Sequence, residues 1–307
     1  MIVAAHIAKA RHQLVRRLRA ALDSRGFVEV MTPVLHAVGP SPQAALFSWA
    51  GQPCDLRPCM ELRLRSALAE LDAVYEIGPC FRPDPPDQDH HPEFHMLELF
   101  WKKPEFGELR ELTRVLLEEA LGTSIQEFRY VDVADALAEA RPELDLACGT
   151  DAILDTLRHC YPLECGGFSR AYEALNWLID KAIVGPDLGT LERPAMLVNY
   201  PLATVCLAKP QAHAPHLIER MEVFIKGLEV CHGFVDDCDP ERVECRMVEN
   251  GPTFHDKPFL GLLRSGRIPA SSGVGFGLER LLMLATATDH IRDCLHEPQF
   301  PEARRVR

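Results

Sequence analysis

The sequence has 307 residues, of which 47% are hydrophobic and 25% charged, a composition typical of a globular protein with a sizeable core. Its formal net charge of -12 excludes an overall basic field that would attract nucleic acid, although a local basic patch stays compatible with it. Neither a signal peptide nor an apolar run approaching the ~20 residues of a membrane span is evident. The sequence therefore predicts a soluble, cytoplasmic protein without a membrane partner. Its eleven cysteines include no C-x-x-C pair, which favours reduced thiols over structural zinc.

The first predicted element is an amphipathic helix over residues 5–24. The apolar residues on one of its faces are Ile7, Leu14, Leu18 and Leu22. The arginines that occupy much of the remaining surface are Arg11, Arg16, Arg17 and Arg19. We interpret this basic side as a solvated helix face rather than a nucleic-acid patch. Gly26 ends the helix, and FVEVMTPVL (27–35) predicts a strand that Pro33 cuts short.

Helices and hairpins alternate along the rest of the chain. In order, the patterns predict a helix at 60–72, a hairpin at 75–101, mainly helices over 104–190, strands at 195–201 and 221–234, and a glycine-rich turn at 271–277 leading into an apolar helix. Strands joined by hairpins and dispersed among helices, rather than regular βαβ units, indicate an α+β fold with an antiparallel sheet.

Three short motifs carry a family resemblance. They are GFVEVMTP (26–33), FR…HHPEFHMLE (81–98) and GVGFGLERLL (273–282). In this order they resemble motifs 1, 2 and 3 of the class II aminoacyl-tRNA synthetases, and HPEF with EVFIKGLEVCHGF (222–234) resembles the lysyl branch. The resemblance implies one catalytic domain over 1–307, an antiparallel β-sheet flanked by helices. Its parts are motif 1 near 26–33, motif 2 near 75–101, a helical insertion near 104–190 and motif 3 near 273–288.

In size and layout the sequence is similar to the lysyltransferases that modify elongation factor P. Only about two dozen residues precede motif 1, whereas an anticodon-binding OB-fold domain needs ~100, so none is expected. The resemblance implies ATP- and Mg²⁺-dependent adenylation of a cationic, lysine-like or β-lysine-like amino acid. The acceptor would be a lysine of elongation factor P or a similar protein. A homodimer built through motif 1 is also implied, with the apolar run Phe27, Val28 and Val30 facing the second subunit.

Four residues match the family's ATP-binding positions. Arg82 matches the motif 2 arginine that binds the α-phosphate, a catalytic task suited to a guanidinium because it stays ionised and presents a rigid fork of donors. Phe94 matches the aromatic residue on which adenine stacks, and His90 a loop residue near the triphosphate. Arg280 matches the catalytic motif 3 arginine on the γ-phosphate side.

Glu222 and Glu229 match carboxylates that bind Mg²⁺. Their odd separation along one strand would point them to opposite faces, so a bend at Lys226 and Gly227 is required to restore a common direction. The alternative is a solvated strand face without a metal.

The sequence departs from the family pattern beside the ATP-binding arginine and in the amino-acid pocket. Pro83 and Asp84 follow Arg82, where the family has Asn-Glu, which predicts a shortened or lost contact to adenine. Glu61 matches the glutamate that receives the substrate α-ammonium. Glu98 and Gly275 are predicted to line the same pocket.

The family's lysine-recognising tyrosine and glutamate are replaced by Phe100 and Asp236, and His232 stands where an asparagine is usual. The acid is retracted by one C–C bond, ~1.5 Å. We therefore expect a poor fit to L-lysine and a better fit to a longer, branched or β-amino cation. The alternatives are that Asp236 is a surface residue after a turn and that His232 belongs to the core.

Two other functions stay open. The same adenylation chemistry could serve tRNA or a small metabolite, although Asp84, Asp87 and Asp89 lie in the loop that tRNA phosphates would approach, so tRNA is not expected. A synthetase-like regulatory protein could instead bind an amino acid without catalysis. The retained phosphate- and metal-binding residues argue against that hypothesis.

Overall fold

The computed structural model describes residues 3–37, 45–205, 207–250 and 256–296. The helices are α1 (Ala5–Asp23), α2 (Glu61–Ala67), α3 (Phe106–Leu121), α4 (Val133–Ala140), α5 (Thr150–Cys160), α6 (Ala171–Ala182), α7 (Pro240–Asn250), α8 (Lys257–Arg264), α9 (Leu278–Thr286) and α10 (Ile291–Cys294). The strands are β1 (Val28–Glu29), β2 (Leu35–Ala37), β3 (Ala45–Trp49), β4 (Gln52–Leu56), β5 (Ala73–Phe81), β6 (Glu93–Trp101), β7 (Arg129–Asp132), β8 (Ala195–Pro201), β9 (Leu217–Ile225), β10 (Leu228–Val235) and β11 (Ser272–Gly277). None of the described helices is long and apolar enough to cross a membrane.

The chain divides into two compact units. Unit 1 comprises Met1–Ser124 and Thr253–Arg307, and unit 2 comprises Ile125–Pro252. Both combine strands with packed helices, which confirms the predicted α+β class. The single catalytic domain over 1–307 stays a prediction.

In unit 1, β1, β5, β6 and β11 lie side by side in that order. The predicted hairpin at 75–101 is confirmed, with β5 antiparallel to β6, while β1 runs parallel to β5. The predicted glycine-rich turn at 271–277 is wrong, because Ser272–Gly277 forms strand β11 antiparallel to β6. A Cβ atom on Gly273 would lie 2.2 Å from the Phe100 ring, so the glycines let β11 pack closely against bulky neighbours on β6. β2, β4 and β3 form a separate antiparallel sheet.

The predicted helix at the start of the chain is confirmed as α1. It buries Ile7, Leu14, Leu18, Ala21 and Leu22. Its arginines are more than a solvated face, because Arg17 donates to the Glu119 and Ala120 carbonyls at the end of α3 at 2.6 and 2.9 Å. The predicted strand over 27–35 is wrong in extent, since β1 contains two residues only.

In unit 2, β10, β9, β8 and β7 are neighbours in that order, with β7 parallel to β8 and the other pairs antiparallel. The predicted strand at 195–201 is confirmed as β8, and the predicted helices over 104–190 are confirmed as α3 to α6, with β7 as an interruption. The stretch 221–234 is a hairpin rather than one strand. Lys226 and Gly227 form its turn with φ of 54° and 75°, the left-handed conformation that two-residue hairpin turns require.

A buried ion pair connects several segments of unit 1. Arg57 and Glu76 are 1% and 4% exposed, and Arg57 Nη1 lies 2.6 Å from Glu76 Oε1. Arg57 also donates through Nε to the Pro79 carbonyl at 2.8 Å and through Nη1 to the Thr32 hydroxyl at 2.9 Å. Glu76 in turn accepts from the Thr32 backbone N–H at 2.9 Å. A Cβ on Gly78 would lie 2.3 Å from Arg57 Nη2, so the glycine makes room for the guanidinium.

Replacing Arg57 by methionine should lower the free energy of unfolding by about 3–5 kcal/mol, because Glu76 would remain buried without its cation. Urea denaturation followed by circular dichroism measures the change. The control is Arg114→Met, which removes an ion pair with Glu111 on α3 whose arginine side chain is 32% exposed, and should cost about 1 kcal/mol or less. The double variant Arg57→Met, Glu76→Leu should recover part of the loss. A cost below about 1 kcal/mol for Arg57→Met would contradict the role assigned to the pair.

Candidate active site

Arg82 and Phe94 meet at the loop end of the β5–β6 hairpin. The Arg82 backbone N–H donates to the Pro92 carbonyl at 3.0 Å, and its Nε donates to the Pro58 carbonyl at 3.3 Å. These bonds hold the guanidinium 5.2 Å from the centre of the Phe94 ring, over its face. Both residues are partly buried. The structure thus brings a fixed cation and an aromatic ring together, as the sequence predicts.

The loop between β5 and β6 binds Arg280 through His90. Asp87 Oδ1 accepts from the backbone N–H groups of Asp89 and His90 at 3.0 and 2.8 Å, which folds the loop into a tight polar turn. The His90 ring lies between a carboxylate and a guanidinium group, with Nδ1 at 2.9 Å from Asp87 Oδ1 and Nε2 at 3.0 Å from Arg280 Nη2. Asp84 is exposed. The structure brings His90 and Arg280 together.

The charges in this loop perturb one another. Hydrogen bonding to Asp89 raises the pKa of His90, and the same bond lowers the pKa of Asp89 to about 2. Asp87, Asp89 and His90 are also the one trio of metal-type ligands that the described residues bring within 4.8 Å of one another. His90 Nδ1 lies 2.9 Å from Asp87 Oδ1 and 3.1 Å from Asp89 Oδ1, so the imidazole links the two carboxylates.

Glu98 is a buried carboxylate at the centre of the same sheet face. It is 4% exposed, and its Oε2 accepts from the Met60 backbone N–H at 2.8 Å. Burial raises its pKa to about 7, and the nearby Arg82 charge opposes only part of this shift. Glu61 follows Met60 at the start of α2, and Gly275 lies opposite Glu98 on β11. A Cβ on Gly275 would lie 3.3 Å from Glu98 Cγ, so glycine keeps this part of the face open.

Phe100 lies on the same face as Glu98 but belongs to a hydrophobic cluster. It is 4% exposed and packs with residues that include Met60, Leu64 and Val74. Phe100, which replaces the family's tyrosine and lacks its hydroxyl group, therefore lies in an apolar environment. Sequence patterns do not reveal Cys59, whose partly buried thiol lies close to Glu98, Glu61, Cys80 and Arg82. Burial raises the pKa of Cys59, which keeps it protonated, and no pattern around this lone cysteine signalled its position.

In unit 2, Glu222 and Glu229 lie on one face of the β9–β10 hairpin, because Glu229 pairs with Phe224, two residues along β9 from Glu222. Glu222 accepts a hydrogen bond from the Tyr200 hydroxyl and forms an ion pair with Arg220. Burial raises the pKa of Glu222, and the negative charge of Glu229 adds to the effect. The turn at Lys226 and Gly227 therefore produces the common direction that the sequence analysis required, across two strands rather than along one.

His232 lies beside these two carboxylates, and Asp236 follows the end of β10. A bulge shifts the register so that His232 pairs with Glu222, and its Nδ1 lies 3.8 Å from Glu229 Oε1. Its side chain is 33% exposed, so it is not a core residue. Asp236 is 2% exposed, which makes the alternative of a surface aspartate wrong. The next residue, Asp237, has a different task, since it binds Arg242 through both oxygens at 2.6 and 2.7 Å.

The carboxylates of Glu222 and Glu229 suit Mg²⁺. Oxygen donors are the ligands that this ion prefers, and it is commonly held by one or two carboxylates with substrate phosphates completing the shell. Burial raises the pKa of Glu222 most, and a cation would relieve the repulsion from Glu229 that adds to this shift. Its bonds to Tyr200 and Arg220 leave each oxygen a second lone pair. These residues fit a magnesium site.

Comparison with known proteins identifies the family. A family model described as tRNA synthetases class II (D, K and N) matches residues 3–303. The chain belongs to this family. The resemblance in the three motifs is thereby confirmed at the level of the class II synthetases, and the strands and helices that present those motifs belong to that fold.

Similar curated proteins are lysine–tRNA ligases. The relative from Saccharolobus solfataricus is 31% identical over 94% of this chain and 64% of its own length. That from Xanthomonas oryzae pv. oryzae is 30% identical over 95% of this chain and 63% of its own length, and that from Chloroflexus aurantiacus is 31% identical over 96% and 65%. The synthetase-family chain thus spans just under two thirds of the length of these relatives.

The raised pKa of Glu98 predicts a specific pH dependence. The folded chain retains a proton that the unfolded chain releases between pH 4.5 and about 7, so stability falls as the pH rises through this window. Glu98→Gln should remove up to about 3 kcal/mol of this fall. The measurement is the free energy of unfolding of both proteins at pH 4.5 and 8. Glu93→Gln, an exposed change on the same strand, is the control. Identical pH dependence in wild type and Glu98→Gln would show that Glu98 is ionised throughout.

Proposed function

We propose that this protein is an ATP-dependent ligase that activates a cationic amino acid as its aminoacyl-adenylate. The observation that supports the proposal most is the placement of Arg82 over Phe94 at the hairpin end, next to the buried acid Glu98. A nucleotide base can stack on the ring while the guanidinium neutralises a phosphate. Membership of the class II synthetase family and the lysine–tRNA ligase relatives support the same chemistry.

The proposed reaction has two steps. A carboxylate oxygen of the amino acid attacks the α-phosphorus of ATP in line, and the bond to pyrophosphate breaks. An amine nitrogen of the acceptor then attacks the activated carbonyl carbon, AMP leaves, and the amine loses a proton. Neither step demands strong acid–base catalysis, because positioning and charge neutralisation supply most of the rate.

The residues divide these tasks. Arg82 neutralises the charge that develops at the α-phosphate, and Arg280 binds the γ-phosphate side once it leaves the loop contacts that His90 and Asp89 provide. Glu222 and Glu229 would hold Mg²⁺, which supplies charge neutralisation of the phosphates when bound. Glu61 and Glu98 receive the α-ammonium group, and a protonated Glu98 must first ionise to do so.

The preferred acceptor is a lysine of elongation factor P or a similar protein. This proposal rests on the acidic loop, where Asp84 and Asp87 are exposed. A second candidate acceptor is tRNA, and the names of the relatives favour it against the expectation from the sequence. An assay that measures attachment of the amino acid to elongation factor P and to tRNA side by side separates the two.

Arg82→Ala should lower ATP–pyrophosphate exchange by about 10²–10³-fold, as loss of a charge-assisted donor in a transition state does in other enzymes. Circular dichroism checks that the fold is retained. Lys9→Ala, an exposed cation on α1, is the control and should exchange normally. Exchange above about a tenth of the wild-type rate in Arg82→Ala would remove the arginine from catalysis. Absence of exchange in the wild type with every amino acid of a panel would favour the non-catalytic regulatory hypothesis.

Asp236 is proposed to recognise the positive charge at the far end of the amino acid. Its burial supports this role, since a carboxylate 2% exposed requires a cationic or hydrogen-bonding environment. Asp236→Asn should weaken lysine, β-lysine, ornithine or arginine by ~2–5 kcal/mol, the cost of breaking a buried charged contact. Norleucine, which lacks the terminal charge, should respond little.

The control for this comparison is Asp155→Asn, a change at a carboxylate 78% exposed in the same unit. The double change Asp236→Glu with Phe100→Tyr should shift preference toward L-lysine. Equal losses for charged and neutral amino acids in Asp236→Asn would assign the residue to the fold alone and would remove the support for a cationic substrate.

We also propose a homodimer formed through the motif 1 segment. The expectation that Phe27 faces a partner is wrong, because its ring is 4% exposed and stacks on Trp101 at 5.6 Å. Val28, Met31 and Leu35 support the proposal instead, at 45%, 94% and 42% exposed. Met31→Glu should shift the mass in sedimentation equilibrium toward the monomer at micromolar concentration. A wild-type protein that sediments as a monomer would contradict the proposal.

A further inference from the structure

A basic cavity in unit 1 is not used by the proposed reaction. It has a volume of about 510 Å³ and is lined by α1, by residues 294–296 and by His95 of β6. The charged and titratable side chains that line it are Arg11, His12, Arg16, Arg19, His95 and His296. None of the described lining residues is acidic. On a chain with a formal net charge of -12, such a concentration of basic groups calls for an explanation.

Carboxylates just outside the cavity balance part of this charge. Glu279, whose side chain is 2% exposed, accepts from Arg11 at 2.7 Å and lies 3.0 Å from His95 Nδ1. Glu29 receives the fork of Arg19, with contacts from 2.7 to 3.1 Å. Two of the three guanidinium groups therefore have an anionic partner within the protein.

Arg16 and His12 are different. Both are exposed and line the cavity, and the described part of the chain offers neither of them a hydrogen bond or an ion pair. Arg11 connects two parts of the lining, because it donates from α1 to the Cys294 carbonyl at 3.0 Å. A preformed concave surface with one guanidinium that the described residues leave without an anionic partner favours an anionic ligand, because little ordering is required on binding.

We propose that this cavity binds a small oligophosphate or phosphate ester through Arg16, with His12 and Arg19 at its rim. Guanidinium groups match phosphate oxygens in charge and in fork geometry. The volume lies within the range of small-molecule sites, about 300–1,000 Å³. A nucleic acid is disfavoured because its backbone would extend beyond the cavity across an acidic protein. The site is independent of the proposed ligase reaction.

The test uses inorganic tripolyphosphate as the probe, with binding measured by calorimetry at low salt. Since tripolyphosphate also resembles the phosphates of ATP, the titration is repeated on Arg82→Ala to remove the nucleotide contribution. In that background Arg16→Ala should weaken binding by about tenfold or more, the loss expected for a hydrogen bond to a charged group. Lys9→Ala, an exposed cation on the same helix outside the cavity lining, should leave affinity within about twofold.

Three outcomes overturn the proposal. Arg82→Ala could abolish all binding, which would place the anion in the nucleotide site alone. Arg16→Ala and Lys9→Ala could weaken binding equally, which would indicate a diffuse field. Single-stranded RNA could displace tripolyphosphate, and Arg16→Ala could weaken RNA binding more than tripolyphosphate binding. That result would assign the surface to nucleic acid. If Arg16→Ala fails to fold, protection of Arg16 in the wild type from phenylglyoxal by tripolyphosphate, followed by mass spectrometry, gives the same decision.

Discussion

The buried pair of Arg57 and Glu76 determines the geometry of unit 1. The guanidinium occupies the space that a side chain at Gly78 would fill, and it binds Thr32 and the Pro79 carbonyl at the same time. The backbone carbonyl of Arg57 accepts from Phe81, and the adjacent Pro58 carbonyl accepts from Arg82. The position of the proposed catalytic arginine thus depends on a charge pair elsewhere in unit 1. Because both charges are desolvated, the pair is costly to break and rigid while intact.

The local patterns were sufficient where a residue's neighbours in sequence are also its neighbours in space. The β5–β6 hairpin follows from two alternating runs around a polar loop, and α1 from apolar residues three or four apart. The orientation of Glu222 and Glu229 followed from one turn at Lys226 and Gly227. Motif matches added residues such as Arg82 and Arg280, whose roles no periodicity could reveal.

The failures have a common physical cause in tertiary contacts. The strand after α1 stops early, and beyond it the Thr32 N–H bonds the side-chain carboxylate of Glu76 instead of a backbone carbonyl of β5. The glycines of β11 suggest a turn from sequence alone. They are needed in the strand because Phe100 and Glu98 on β6, which are far away in sequence, pack against them. Arginines of α1 form ion pairs with Glu279 and Glu29 and a hydrogen bond to the end of α3. A helical pattern cannot show these contacts.

The protonation state of Glu98 affects the free energy with which an amine would bind beside it. With a pKa of about 7, the carboxyl group is a mixture of neutral and ionised forms near neutrality. An ammonium group that binds beside it favours the ionised form, so capture of the amine and release of a proton become one linked equilibrium. Apparent affinity for the amine then increases with pH until the acid is fully ionised. Glu98, which burial makes costly to ionise in the ligand-free protein, would thus ionise in response to the positive charge of a bound ammonium group.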